Sequence, residues 1–173
     1  MSEKLFFDSL KIEYVDEIVF AFKAIGWDKP RSIYENYLSE QLNGKRSVLV
    51  AKFNDKFCGY VTLKWVSDYS FFCHNGIPEI SDLNVLPDYR NQGIGTKLIE
   101  KCEAMVSEKE QPIIGIGVGL TADYGNAQKL YVHLGYIPDG FGLHYRNEPI
   151  HYNDKVLVDD DLILYLTKTL SNK

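Results

Sequence analysis

Glu79-Ile80-Ser81-Asp82-Leu83-Asn84-Val85-Leu86-Pro87-Asp88-Tyr89-Arg90-Asn91-Gln92-Gly93-Ile94-Gly95-Thr96-Lys97-Leu98 reads as a strand, a turn and the opening of a helix. Ile80, Leu83 and Val85 alternate with polar side chains; the adjacent polar pair Ser81-Asp82 marks an irregularity near Asp82, and Pro87 stops the strand. From Gly93 onward, Ile94, Leu98, Cys102, Met105 and Val106 recur at three- and four-residue spacing, with Lys97, Glu100, Lys101 and Glu103 between them, the period of an amphipathic helix. The two glycines therefore stand at a helix N-terminus. The first four N–H groups there lack internal partners and carry the positive end of the helix dipole, and glycine removes the Cβ that would hold a phosphate away. Arg90 and Lys97 add positive charge. The Walker pattern fails because Thr96 follows Gly95, and the dinucleotide pattern fails because Leu98 stands where a third glycine is needed.

The 173 residues, 45% hydrophobic and 25% charged, fit one soluble domain, residues 1–173, with length enough to bury a core. The net charge is -5 and no block of Lys or Arg occurs, which speaks against nucleic acid or an anionic membrane as partner and mildly favours cationic substrates. Cys58, Cys73 and Cys102 are scattered and odd in number, as expected of reduced thiols. The four histidines, His74, His133, His144 and His151, have no metal-ligand spacing, so no metal is expected. Met1-Ser2-Glu3-Lys4 lacks an apolar signal core and Ile113 to Leu120 is too short to span a bilayer, so the expectation is a cytoplasmic protein.

Before the central stretch, Lys4 to Ile12 reads as a strand, Tyr14 to Ile25 as a helix stopped by Gly26, and Asp28-Lys29-Pro30 as the start of a second helix whose apolar face is Ile33, Tyr34, Tyr37, Leu38 and Leu42. Ser47 to Phe53 and Phe57 to Trp65 are strands joined by a turn at Asn54-Asp55-Lys56, and Gly59 predicts a close backbone approach or a bulge. Ser67 to Ile77 reads as a loop whose aromatics either line a substrate mouth or plug the core. After it, Gln111 to Ala122 reads as a buried strand. Gly117-x-Gly119-x-x-Ala122 imitates a dinucleotide fingerprint, but only some fifty residues follow, too few for further βα units; glycines here would let a cofactor arm lie against the backbone. Asn126 to Leu134 predicts a short helix capped by Asn126 and ended by Gly135. Pro138-Asp139-Gly140 marks a turn or bulge, Phe141 to Tyr152 is irregular, and Leu162 to Leu166 is a last strand.

Arg90-x-x-Gly93-x-Gly95 after a strand ending in Val85-x-Pro87 resembles the acetyl-CoA signature of the GNAT superfamily of N-acetyltransferases, and Asn126-Ala127-Gln128-Lys129-Leu130-Tyr131-Val132-His133-Leu134-Gly135-Tyr136 is similar to that family's second hallmark. The resemblance implies an α+β (mixed α/β) fold: a central, mostly antiparallel twisted sheet of six to seven strands, splayed at its central strands and flanked by about four helices. It implies acetyl-CoA as co-substrate, with its pyrophosphate on the amides of Gln92 to Thr96 beside Arg90, Asn91, Gly93, Ile94 and Gly95, and its pantetheine arm along Leu83, Asn84 and Val85. A primary amine, small-molecule or peptide, would attack the thioester directly in a ternary complex. Tyr131 matches the family's general acid, and Glu79 and Asp82 are the candidate bases, with Asp123 a weaker third. The family's asparagine falls on Tyr124 here, which makes Asn126 the displaced candidate for that coenzyme contact. Two alternatives stand beside this: a non-catalytic acyl-CoA-binding module, and transfer of a longer acyl group, for which depth near Trp65 and Phe72 decides. A homodimer is compatible with the sequence.

Overall fold

The computed structural model describes residues 4–170. Its strands are β1 (Leu5–Ser9), β2 (Arg46–Phe53), β3 (Lys56–Lys64), β4 (Glu79–Val85), β5 (Ile113–Gly119), β6 (Ile137–Tyr145), β7 (Glu148–Pro149) and β8 (Leu162–Thr169). The helices are α1 (Val15–Ala24), α2 (Arg31–Leu42), α3 (Ser70–His74), α4 (Ile94–Glu108) and α5 (Gly125–His133). Hydrogen bonding orders the strands β1-β2-β3-β4-β5-β8-β6-β7. The β4–β5 pair is parallel, whereas β1–β2, β2–β3, β5–β8, β6–β7 and β6–β8 are antiparallel. This is the expected mixed α+β class, with eight strands and five α-helices among the described residues. Most of the excess over the expected count comes from β7, a two-residue strand too short to show as a pattern.

Backbone contacts gather into two units: the described residues up to Trp65 with Ser81–Lys101, and Val66–Ile80 with Cys102 to the end of the described residues. In the first, Asn54 and Asp55 both take left-handed φ, +49° and +65°, as a two-residue hairpin requires, and join β2 to β3. The apolar stripe of α1 (Val15, Ile18, Phe22) and Tyr34 of α2 bury against Val48, Val50, Phe57 and Tyr60 of the sheet. Pro30 serves as the N-cap of α2, so that helix begins at Arg31, slightly later than its sequence signal.

In the second unit, Ser67 to Ile77 is no open mouth. It forms α3, and Tyr69, Phe72 and Ile77 pack with Tyr165 as core, with the Tyr69 and Tyr165 rings stacked at 3.9 Å. Phe72 is therefore a core residue. The glycines of β5 do not face a ligand arm either: a Cβ at Gly115 would strike the Phe72 ring, and one at Gly117 would come within 2.9 Å of Ile163. Side chains of α3 and β8 fill that space. Phe141 to Tyr152 is more regular than its sequence suggests: β6 runs to Tyr145 and turns through left-handed Arg146 and Asn147 into β7. Its alternation is obscured by a register shift between Pro138 and Leu143, where Gly140 and Gly142 have positive φ. β8 extends to Thr169, beyond the expected Leu166.

Candidate functional site

β4 belongs to both units. Its first residues pair with β5 through Glu79↔Gly115 and Ile80↔Ile116, and this two-pair ladder is short against strands of seven residues each. The remaining stretch, Ser81 to Val85, runs beside β3. There a Cβ on Gly59 would lie 2.6 Å from the Asn84 carbonyl oxygen, and the Leu86 amide donates to the Cys58 carbonyl at 2.9 Å. The irregularity expected near Asp82 is a left-handed residue, φ +48°.

Beyond Val85, Leu86 is buried and Pro87–Tyr89 makes a single 3₁₀ turn. Arg90 donates from Nε to the Val85 carbonyl at 3.1 Å, and Gln92 from Nε2 to the Asp88 carbonyl at 3.2 Å, so both side chains brace the turn. Asn91 and Gly93 take left-handed φ of +59° and +75°. Main-chain N–H groups in such alternating conformations converge on a concavity suited to an anion. Nothing lies within 4 Å of a Cβ built on Gly93. The first bond of α4 runs from the Lys97 amide to the Gly93 carbonyl at 3.0 Å, so the Ile94, Gly95 and Thr96 amides precede the helical ladder. Ile94, Leu98 and Ile99 are buried and fix the helix, while Gln92, Gly93 and Lys97 are exposed. The turn heading α4 is thus open, and its chemistry would suit a diphosphate.

Asp82 is more tightly engaged than its sequence suggests. Its Oδ1 accepts from Lys29 Nζ at 2.7 Å and Asn84 Nδ2 at 2.7 Å; its Oδ2 accepts from the Tyr37 hydroxyl at 2.8 Å and from the Tyr60 hydroxyl. Burial pushes this carboxyl up, but the Lys29 ammonium and the Tyr60 and Tyr37 hydroxyls together outweigh that and hold it below the usual carboxylate range. Burial, with the Asp82 charge, drives the Tyr60 and Tyr37 hydroxyls far up. Sequence reading missed Lys29, Tyr37 and Tyr60, because they lie 53, 45 and 22 residues from Asp82 and no local pattern links them.

In the second unit Glu79 is buried and accepts from the Ser67 hydroxyl at 2.6 Å, a partner also unforeseen. His144, 4% exposed, packs its ring 4.7 Å from Tyr69, and its Nδ1 has no hydrogen-bond partner among the described residues. Tyr131 on α5 is buried, and burial, helped by Tyr124, pushes its hydroxyl up to about 12. Asn126 does not cap the helix as expected: Tyr124 is the N-cap, its side chain making no capping hydrogen bond and its hydroxyl donating instead to Asp160 Oδ1 at 2.9 Å, and Asn126 is an exposed residue of the first turn. No group of three or more His, Cys, Asp or Glu among the described residues could hold a metal ion.

The family to which this strand, turn and helix belong is given by comparison with known proteins, and it is one of acyltransferases. Residues 44–138 match the family model described as acetyltransferase (GNAT) domain, and the chain belongs to that family. It is 33% identical over 90 residues to an uncharacterized N-acetyltransferase of Archaeoglobus fulgidus; the match takes in 50% of this chain and 59% of that relative's length. Among solved structures, an N-acetyltransferase from Staphylococcus aureus aligns with a TM-score of 0.70 at 14% identity, over 97% of this chain and 99% of its own. A GNAT family acetyltransferase from Elizabethkingia anophelis with acetyl-CoA bound aligns at 0.62 and 18% identity, over 96% and 98%.

Proposed function

We propose that the chain works as one acetyltransferase domain in the cytoplasm, moving an acetyl group from acetyl-CoA to a primary amine by direct attack within a ternary complex. The observation that carries this is the open left-handed turn at Asn91 and Gly93 heading α4. In this reading the Gln92 to Thr96 amides hold the coenzyme's diphosphate, and Arg90 supports the turn from behind. The backbone of Leu83, Asn84 and Val85 orients the pantetheine arm, and one of its amides faces the negative charge that develops on the carbonyl oxygen. Acetyl-CoA supplies an activated thioester carbonyl and a leaving thiol whose pKa of about 8.5 already favours departure.

The amine must lose a proton, and Glu79 is the stronger candidate for taking it. Asp82, its oxygens already bonded and its proton affinity lowered, serves better as a fixed negative charge. Tyr131 gives a proton to the departing sulfur; with its pKa pushed up to about 12 it stays protonated at neutral pH, as a donor must. Asn126, exposed in the first turn of α5, is retained as the coenzyme contact displaced from the family position.

Two measurements test the reading. Gly93→Val places a branched side chain at φ +75° and in the open cradle. Calorimetric titration with acetyl-CoA should show binding reduced at least tenfold with the circular dichroism spectrum unchanged, and wild-type affinity in the variant would refute the diphosphate site. Thiol release across a panel of primary amines should exceed the amine-free rate; binding without any release would leave only a non-catalytic acyl-CoA module.

A further inference from the structure

We infer that Asp82, Tyr37 and Tyr60 form a binding site for a primary alkylammonium, the protonated end of an acceptor amine, and that Lys29 of the chain itself fills that site until the acceptor displaces it. Calling the ligand the acceptor rests on the acetyl-transfer reading; the ammonium site stands on geometry alone.

Lys29 shows what the site holds. Its Nζ donates to Asp82 Oδ1 at 2.7 Å and to the Tyr60 hydroxyl at 3.0 Å, and lies 5.4 Å and 5.5 Å from the Phe22 and Tyr60 ring centroids. A carboxylate, a hydroxyl acceptor and two ring faces together match a small cation bearing several N–H donors. A quaternary ammonium would keep the ring contacts but lose both hydrogen bonds.

Host and occupant differ in how they are fixed. Asp82, Tyr60 and Tyr37 stand on β4, β3 and α2, and Asp82 is further tied by Tyr37 at 2.8 Å and Asn84 at 2.7 Å. Lys29 comes from the connection between α1 and α2, which has no helix or strand and turns at Gly26 with φ +77°. Loops of this kind move at lower cost than strands and helices. The site is not sealed: the Lys29 and Asp82 side chains keep 19% and 24% of their exposure, so an incoming ammonium can reach the carboxylate as the lysine leaves. The carboxylate also sits at a left-handed residue, φ +48°, a costly backbone choice for aspartate that recurs at ligand sites. Leu83 to Val85, proposed to flank the thioester, follow it directly on the same strand.

The side chain of lysine beyond Cα is n-butylammonium, which makes that ion the natural probe. Titrated without coenzyme, Lys29→Met should bind n-butylammonium chloride at least tenfold more tightly than wild type, whose tethered lysine competes. The double variant Lys29→Met/Asp82→Asn and the probe butyltrimethylammonium should each abolish the gain. Should Asp82 without its partner make Lys29→Met labile, its melting temperature reads the same question, rising with n-butylammonium chloride relative to equal sodium chloride. Affinity no greater than wild type, together with no rise in melting temperature, overturns the inference. With acetyl-CoA present, the variant's KM for an alkylamine acceptor should fall while that for acetyl-CoA holds. Tight ammonium binding without turnover on any amine would sustain this site and count against the acetyl-transfer reading.

Discussion

The roles proposed for Tyr131 and Asp82 both turn on where each side chain's proton equilibrium is set. Tyr131 is buried and its hydroxyl is pushed up to about 12, so it remains protonated throughout the range in which an amine nucleophile becomes available. Tyr131→Phe should lower kcat by about 10²- to 10⁴-fold with little change in acetyl-CoA affinity, and the wild-type pH–rate profile should show no descending limb below about pH 10. Equal losses in kcat and affinity would assign Tyr131 to packing instead. Asp82 titrates in the opposite sense. Its folded pKa lies below that of an unfolded aspartate, about 3.9, so it stabilises the fold fully above that value and the contribution disappears as pH falls through the folded pKa. Urea unfolding of Asp82→Asn should show a loss of about 1–3 kcal/mol at pH 6, because the Lys29 ammonium and two tyrosine hydroxyls lose their anion. Its stability should then decline less between pH 5 and pH 2.5 than that of wild type. Parallel pH curves for the two proteins would remove Asp82 from the acid response.

At the element scale, β4 and the start of α4 were the most legible parts, because their signals are local. Alternation, a proline stop, two glycines and a helical stripe follow one another within twenty residues, and Asp82 takes a left-handed angle where the irregularity was expected; the left-handed angle of Gly93 was not foreseen. Gly59 was legible as a close approach, and the structure names its neighbours, the Asn84 carbonyl oxygen at 2.6 Å and Val85 Cα at 3.2 Å from a built Cβ. Both are backbone atoms and cannot rotate aside. Gly59→Ala should therefore cost about 1–3 kcal/mol by parting β3 from β4, and should weaken acetyl-CoA binding by displacing Leu83 to Val85. Unfolding and calorimetry on the same sample check both, and a stability equal to wild type would mean that the strands yield freely. Less legible were β6 and β7, since a register shift and exposed, glycine-interrupted side chains erase the period on which strand reading depends. The partners of Asp82 and Glu79 were invisible for another reason. Contacts between residues far apart in sequence have no local signature, so Lys29, Tyr37, Tyr60 and Ser67 appeared only once the chain was folded.

Across the whole molecule, the proposed reaction asks a chain of net charge -5 to take one substrate of each sign. Its summed field attracts an ammonium and repels a coenzyme carrying phosphates, so the diphosphate must be held by short-range means, the amides and dipole at the start of α4 with Lys97 nearby. The two substrates should then answer salt differently. Screening shortens the reach of the field from about 30 Å at 0.01 M to about 10 Å at 0.1 M, which removes attraction for the amine and repulsion for the coenzyme alike. Between about 0.01 M and 0.5 M salt, kcat/KM for a cationic amine should fall several-fold, while kcat/KM for acetyl-CoA should hold or rise. Steady-state kinetics with each substrate varied in turn reads both numbers from one preparation. A parallel fall in the two would mean that long-range attraction, not the local cradle at Gly93, governs coenzyme capture.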